Sequence, residues 1–79
     1  MNLYLISWCE GDYDSYDGAV VCAENEEDAK NIHPSGRPFV AGSWSYDWAK
    51  HRKDISVRLI GTAVLGARRG VELASYNAG

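Results

Sequence analysis

Cysteine, proline and long hydrophobic runs are all scarce in this chain, and its first 29 residues contain no lysine or arginine. Each shortage excludes something. The two cysteines, Cys9 and Cys22, show no CxxC spacing and no neighbouring histidine pair, so no zinc-site pattern is present and both read as small buried hydrophobes. Two prolines and 46% hydrophobic residues place the chain in the globular class and outside the disordered one. No run approaches the roughly 18–20 apolar residues that a membrane helix requires. The N-terminus opens straight into a strand pattern, without a basic leader or an apolar h-region. The expected location is therefore the cytoplasm, with no membrane contact, where a disulfide is not favoured.

Catalytic patterns are missing as well. The glycines are scattered and form neither GxGxxG nor GxxxxGK[ST], so no phosphate cradle is expected. Ser7, Ser35, Ser43, Ser45 and Cys9 have no recognisable base or oxyanion motif beside them, which leaves nucleophilic catalysis without a sequence basis. His33 and His51 are too isolated to suggest a metal pair or an acid/base site. His33, near a helix C-terminus, has a simpler account as a partly protonated imidazole favoured by the helix dipole, and His51 lies in a basic stretch. The expectation is a protein that is not an enzyme and that needs no cofactor and no metal.

What is present is a division of charge. Residues 1–29 hold eight acids and sum to −8, whereas residues 30–79 hold all eight basic residues against three acids and sum to +5. The net charge of −3 conceals this split. Blocks of one sign usually mark a face that meets something charged.

Seventy-nine residues make a single domain, 1–79, close to the lower size limit for folding without covalent staples. Leu3 to Cys9 is an apolar run of strand formers that ends in turn chemistry at Glu10-Gly11. Residues 12–18 read as an acidic hairpin loop, after which Ala19 to Ala23 is a short apolar strand that suggests burial on both faces. Asn25 is a strong N-cap, and Glu26, Glu27 and Asp28 complement the positive end of a helix dipole. Pro34 stops that helix by His33 after about two turns, with Ala29 and Ile32 free to face a sheet. Residues 34–54 form a long Trp-containing loop with no clean period. Within it Trp44 and Trp48 share one side of a helical turn expected over Ser45 to Lys53. Ile55 to Ala63 alternates Ile55, Val57 and Leu59 against Ser56, Arg58 and Ile60. Val71 to Tyr76 alternates Val71, Leu73 and Ser75 against Glu72, Ala74 and Tyr76.

The order is ββαββ. If the third strand returns to lie beside the first, a four-stranded, mainly antiparallel sheet results. One short helix then packs on one face, a two-layer α+β arrangement with its other face partly bare. Three Trp and five Tyr exceed the needs of so small a core, and exposed aromatics often anchor interfaces.

Two surface readings compete. The loop Gly11 to Gly18 invites comparison with a calcium loop, but its third Asp and its Gly arrive one residue late and its flanks are strands, so a solvated acidic loop is expected. Its crowded carboxylates repel one another unless a cation relieves them. Lys50, Arg52, Lys53, Arg58, Arg68 and Arg69, with Trp44, Tyr46 and Trp48 nearby, could instead form a nucleic-acid surface. The acidic balance, with a pI near 5.2, weighs against it. The two halves could also simply neutralise one another within the fold or across a homodimer.

Tyr4-Leu5-Ile6-Ser7, Tyr13 to Val21, Ala23 to Ala29, His33-Pro34, Ile60-Gly61 and Ser75 to Gly79 together resemble small proteins encoded by phages and prophages. Some short acidic proteins of this kind are anti-CRISPR inhibitors. The resemblance implies a host CRISPR-Cas effector complex as partner and a block of target DNA binding or recruitment as the action; it supplies no catalytic residue. Surfaces that recognise DNA are lined with Lys and Arg, so a compact acidic face can occupy them. The face expected to do so comprises Asp12, Asp14 and Asp17 of the loop and Glu26, Glu27 and Asp28 of the helix start, with Tyr13 and Tyr16 adding less salt-sensitive contacts. Helix N-termini also carry acids for dipole reasons alone.

Overall fold

Two short N-terminal runs of apolar strand formers, at residues 3–6 and 19–23, pair as a hairpin, and the rest of the molecule is built outward from it. The computed structural model describes residues 1–8, 15–36, 48–49 and 52–77. Strand β1 (Asn2–Ser7) pairs antiparallel with β2 (Ser15–Ala23), Tyr4 lying opposite Val21 and Ile6 opposite Ala19. Strand β3 (Ser56–Thr62) pairs antiparallel with the free side of β1, and β4 (Gly70–Asn77) with the free side of β2. The sheet order is β3-β1-β2-β4. The expected two-layer α+β architecture, with the third strand beside the first, is what the molecule adopts.

Helix α1 (Glu26–Lys30) is shorter than the two turns expected, ending before Pro34 at the C-cap Asn31. The Asn25 Oδ1 accepts the Asp28 backbone N–H at 2.8 Å, the cap read from the sequence. A helix of five residues survives only through packing. Ala29 and, just beyond the helix, Ile32 supply it, both buried against the sheet.

The core lies on this helix-covered face. Tyr4, Ile6, Ala19, Val21 and Ala23 from the central strands meet Ala29, Ile32, Trp48, Ala49 and Ile55. Trp48 is fully buried, with Trp8 edge-on at a 6.0 Å centroid separation. Of the helical turn expected over Ser45 to Lys53, residues 45–47 and 50–51 lie outside the described residues; Trp48 and Ala49 are not helical, and Arg52–Asp54 form a 3-10 turn. Trp48 fills the core as a plug, while Trp44, its expected companion on one side of a turn, lies outside the described residues.

Three bulges overturn the simple strand alternation. In the β2–β4 pairing Asp17 is an extra residue on β2 and Glu72 an extra residue on β4, and in the β1–β3 pairing Ile60 is extra on β3. A one-residue insertion flips the faces beyond it. Val71 and Leu73 therefore occupy opposite faces, not the common face expected. Val71, Ala74 and Tyr76 take the register of the core-facing Val21, Ala19 and Tyr16, while Leu73 lies opposite Val20 on the other side.

Gly18 permits one close approach. A Cβ there would sit 2.7 Å from the Ile6 carbonyl oxygen, so any side chain would push the hairpin strands apart. The β3–β4 connection crosses the end of the sheet through a turn closed by the Ala67 N–H to the Val64 carbonyl, with Gly66 at φ 90° in the position that demands a positive φ.

Candidate functional site

The acidic residues singled out above that are described fall into two groups, Asp17 and the helix-start acids. Asp12, Tyr13 and Asp14 lie outside the described residues, as do Cys9, Trp44 and Tyr46. Tyr16 and Asp17 are not loop residues, as expected, but part of β2, which begins at Ser15. Glu26, Glu27 and Asp28 open α1 at the opposite end of the same strand. Asp17 and Ala23 are six residues apart on β2, roughly 20 Å at about 3.3 Å per residue. Asp17 and the helix-start acids therefore do not form one continuous patch.

Tyr16 is held within the fold. Its ring lies edge-on to His33 at 5.9 Å and to Tyr76 at 4.9 Å, and its carbonyl accepts the Trp8 indole N–H at 2.7 Å. Asp17, on the bulge, is exposed and turns toward the uncovered face, where Ser75 Oγ donates to its carboxylate at 3.4 Å.

Asp28 is engaged on both oxygens. Oδ1 accepts from Arg69 Nε at 2.8 Å, and Oδ2 accepts the Glu24 backbone N–H at 3.1 Å. One carboxylate thus closes the helix start and ties it to the β3–β4 connection, across 41 residues of sequence. Here the acidic and basic halves of the chain meet within the fold. Glu24, Glu26 and Glu27 stand in the opposite condition: all three are exposed, and none has an ion-pair partner among the described residues. They leave an unneutralised acidic edge beside a neutralised one.

His33 lies two residues beyond the helix C-cap Asn31 and is buried. Its Nδ1 accepts the Ser35 backbone N–H at 3.1 Å and lies 2.8 Å from Ser35 Oγ, while the Gly36 N–H closes the turn onto the His33 carbonyl. A nitrogen that accepts a backbone N–H carries no proton, so the ring is the neutral Nε2–H tautomer. Sequence reading missed this Ser–His pair because two residues of separation across a proline is a turn signal and not a catalytic one. The shared acceptor makes it a turn lock.

The basic aromatic surface loses a member, since Trp48 is buried in the core and cannot stack on a base. Cys22 is buried as expected. Among the described residues no group of three or more His, Cys, Asp or Glu converges as a metal site, and no helix is long and apolar enough to cross a membrane.

The second surface of note carries no charge run. On the face of the sheet away from α1, Leu5, Val20 and Leu73 lie with Ser7, Gly18, Ser75 and Asp17 around a shallow recess. A neighbouring recess is lined by Leu3, Val20, Ala63, Val64, Ala67 and Glu72. Leu73 is 70% exposed and Leu65, at the tip of the β3–β4 connection, 104%. The sequence signalled a partly bare face but not its composition, because the bulges decide which side chains reach it.

No family model matches this chain, and no match was found among curated proteins or solved structures.

Proposed function

We propose that this chain acts by binding and not by catalysis, as a phage-type inhibitor that occupies a basic, nucleic-acid-handling surface of a host protein complex. A CRISPR-Cas effector is the first target to test. The observation that supports the reading is the acidic edge of Glu24, Glu26 and Glu27, exposed and without ion partners among the described residues while the adjacent Asp28 is consumed by Arg69. An edge of one sign steers association with a basic groove and competes there with phosphate. The target class comes from the resemblance to small phage-encoded proteins, and the site on the effector would be one that holds DNA. Asp12 and Asp14 are further candidate contacts of the same sign, and Tyr13 a less salt-sensitive one.

The test is a tagged pull-down from a bacterial lysate with an active CRISPR-Cas system, washed at two salt concentrations and read by mass spectrometry. It is run in parallel with the triple variant Glu24→Lys, Glu26→Lys, Glu27→Lys. The expected result is an effector subunit whose recovery falls with salt and is lost in the triple variant. Recovery of bait alone, or of nuclease-sensitive material alone, would sink the reading for that system.

A further inference from the structure

We propose that the uncovered face of the sheet is a self-association surface, on which a second copy of this chain packs face to face about a two-fold axis parallel to the strands. This goes beyond the acidic-edge reading and stands on different residues.

The face carries a row that crosses all four strands. By register, Arg58 of β3 lies opposite Leu5 of β1, Leu5 opposite Val20 of β2, and Val20 opposite Leu73 of β4. Directly paired residues share a face, so Arg58 stands at one end of an apolar row. Glu72, on the β4 bulge beside Leu73, borders the recess lined by Leu3 and Val20 at the other end. The row is basic at one margin, apolar at its centre and acidic at the other margin.

That polarity makes the face complementary to itself, and it selects the axis. A half-turn about an axis parallel to the strands, between β1 and β2, lays β3 of one copy over β4 of the other. Arg58 is then set twice over the partner's Leu73, beside the bulged Glu72 whose carboxylate its guanidinium can reach, and Leu5 and Val20 cover each other at the centre. A two-fold axis across the strands would instead set Arg58 against Arg58, a like-charge contact that disfavours it. The chosen axis also brings the two β3–β4 connections to the same end, where Val64 (79% exposed) and Leu65 meet their counterparts. Addition along a sheet edge is the poorer arrangement, because both edge strands are blunted by a bulge, at Ile60 on β3 and at Glu72 on β4.

The area bounds the class of interface. Four strands at about 4.8 Å spacing and seven residues at about 3.3 Å give a flat footprint of roughly 400 Å² per copy. Pleating and the Val64–Leu65 turn raise the accessible area toward the low end of the roughly 800 Å² per partner of a standard interface. A footprint at that low end fits a reversible association better than an obligate one.

Sedimentation equilibrium of the full chain from about 1 μM to about 1 mM tests this. The wild type is expected to pass from monomer to dimer across that range. Leu73→Glu should weaken the dimer by about a hundredfold or more, and Arg58→Glu and Glu72→Arg by about tenfold each. The double charge reversal should return affinity to within about threefold of wild type, a recovery that general stickiness would not produce. Circular dichroism melts verify folding; should Leu73→Glu unfold, the charge-reversal cycle at two exposed positions still decides. A wild type that stays monomeric throughout overturns the proposal and leaves the face to a different protein. A dimer that ignores these variants overturns it too, by placing the interface elsewhere.

Discussion

The two faces of this sheet are made by the same four strands and have opposite fates. On one, Tyr4, Ile6, Ala19 and Val21 are sealed by α1, Ile32, Trp48 and Ile55. On the other, Leu5 and Leu73 remain 37% and 70% exposed. Among the described residues, the covering layer of the sealed face is a short helix with a tryptophan plug. Apolar residues on the sealed face hold the fold, whereas those on the open face are available to a partner. The same substitution should therefore cost very different amounts on the two sides.

The largest effect belongs to the plug. Trp48→Ala should cost about 3–5 kcal/mol, comparable to the whole stability of so small a domain, and the expected result is loss of a cooperative melt. Trp48→Phe keeps most of the volume and removes an indole N–H that has no acceptor among the described residues, so its melting temperature should lie much nearer wild type. Next is the hairpin contact. Gly18→Ala forces a methyl against the Ile6 carbonyl, and denaturant titration should show a loss of about 1–3 kcal/mol.

A smaller effect separates the two tasks of Asp28. Asp28→Ala removes both a helix-start acceptor and an ion pair, whereas Arg69→Ala removes the pair alone. The former should cost about 1 kcal/mol and the latter less than about half of that, with only the latter part fading as salt rises. The smallest effect is on the open face: Leu73→Gln should leave stability within about 0.5 kcal/mol of wild type. A large loss there would mean that Leu73 serves the monomer fold, and the contrast between the faces would fail.

The sealed face was partly legible in the sequence, since β1 and β2 stand out as apolar strand runs and Ala29 and Ile32 fall at helical spacing after an Asn cap, although a continuous apolar run does not show which of its side chains turn inward. The open face was not. Asp17, Ile60 and Glu72 each insert one residue into an otherwise regular ladder, and a single insertion changes sides without changing composition. That is how Leu73, which alternates in sequence with Val71, came to face the opposite way. The acidic edge was legible as charge but not as geometry. Nothing local in Asp28 announces Arg69, and the strand that separates Asp17 from Glu26 became visible only when β2 proved to begin at Ser15. His33 follows the same rule, its burial depending on Tyr16 packing against it from another element.

The placement of β3 and β4 at opposite edges of the sheet has a consequence for the time course of folding. These strands are consecutive in the chain, yet neither touches the other; each needs a central strand already in place. The β1–β2 hairpin is thus the template, and the two edges add to it independently, joined by the connection that Arg69 fastens to the helix start. Contacts so distant in sequence make assembly slow for the chain's size, in the millisecond-to-second range of non-local β topologies. The Asp28–Arg69 latch bridges the helix start to the far end of that connection, so it closes after the central pair has formed. Its removal should speed unfolding and leave the folding rate nearly unchanged.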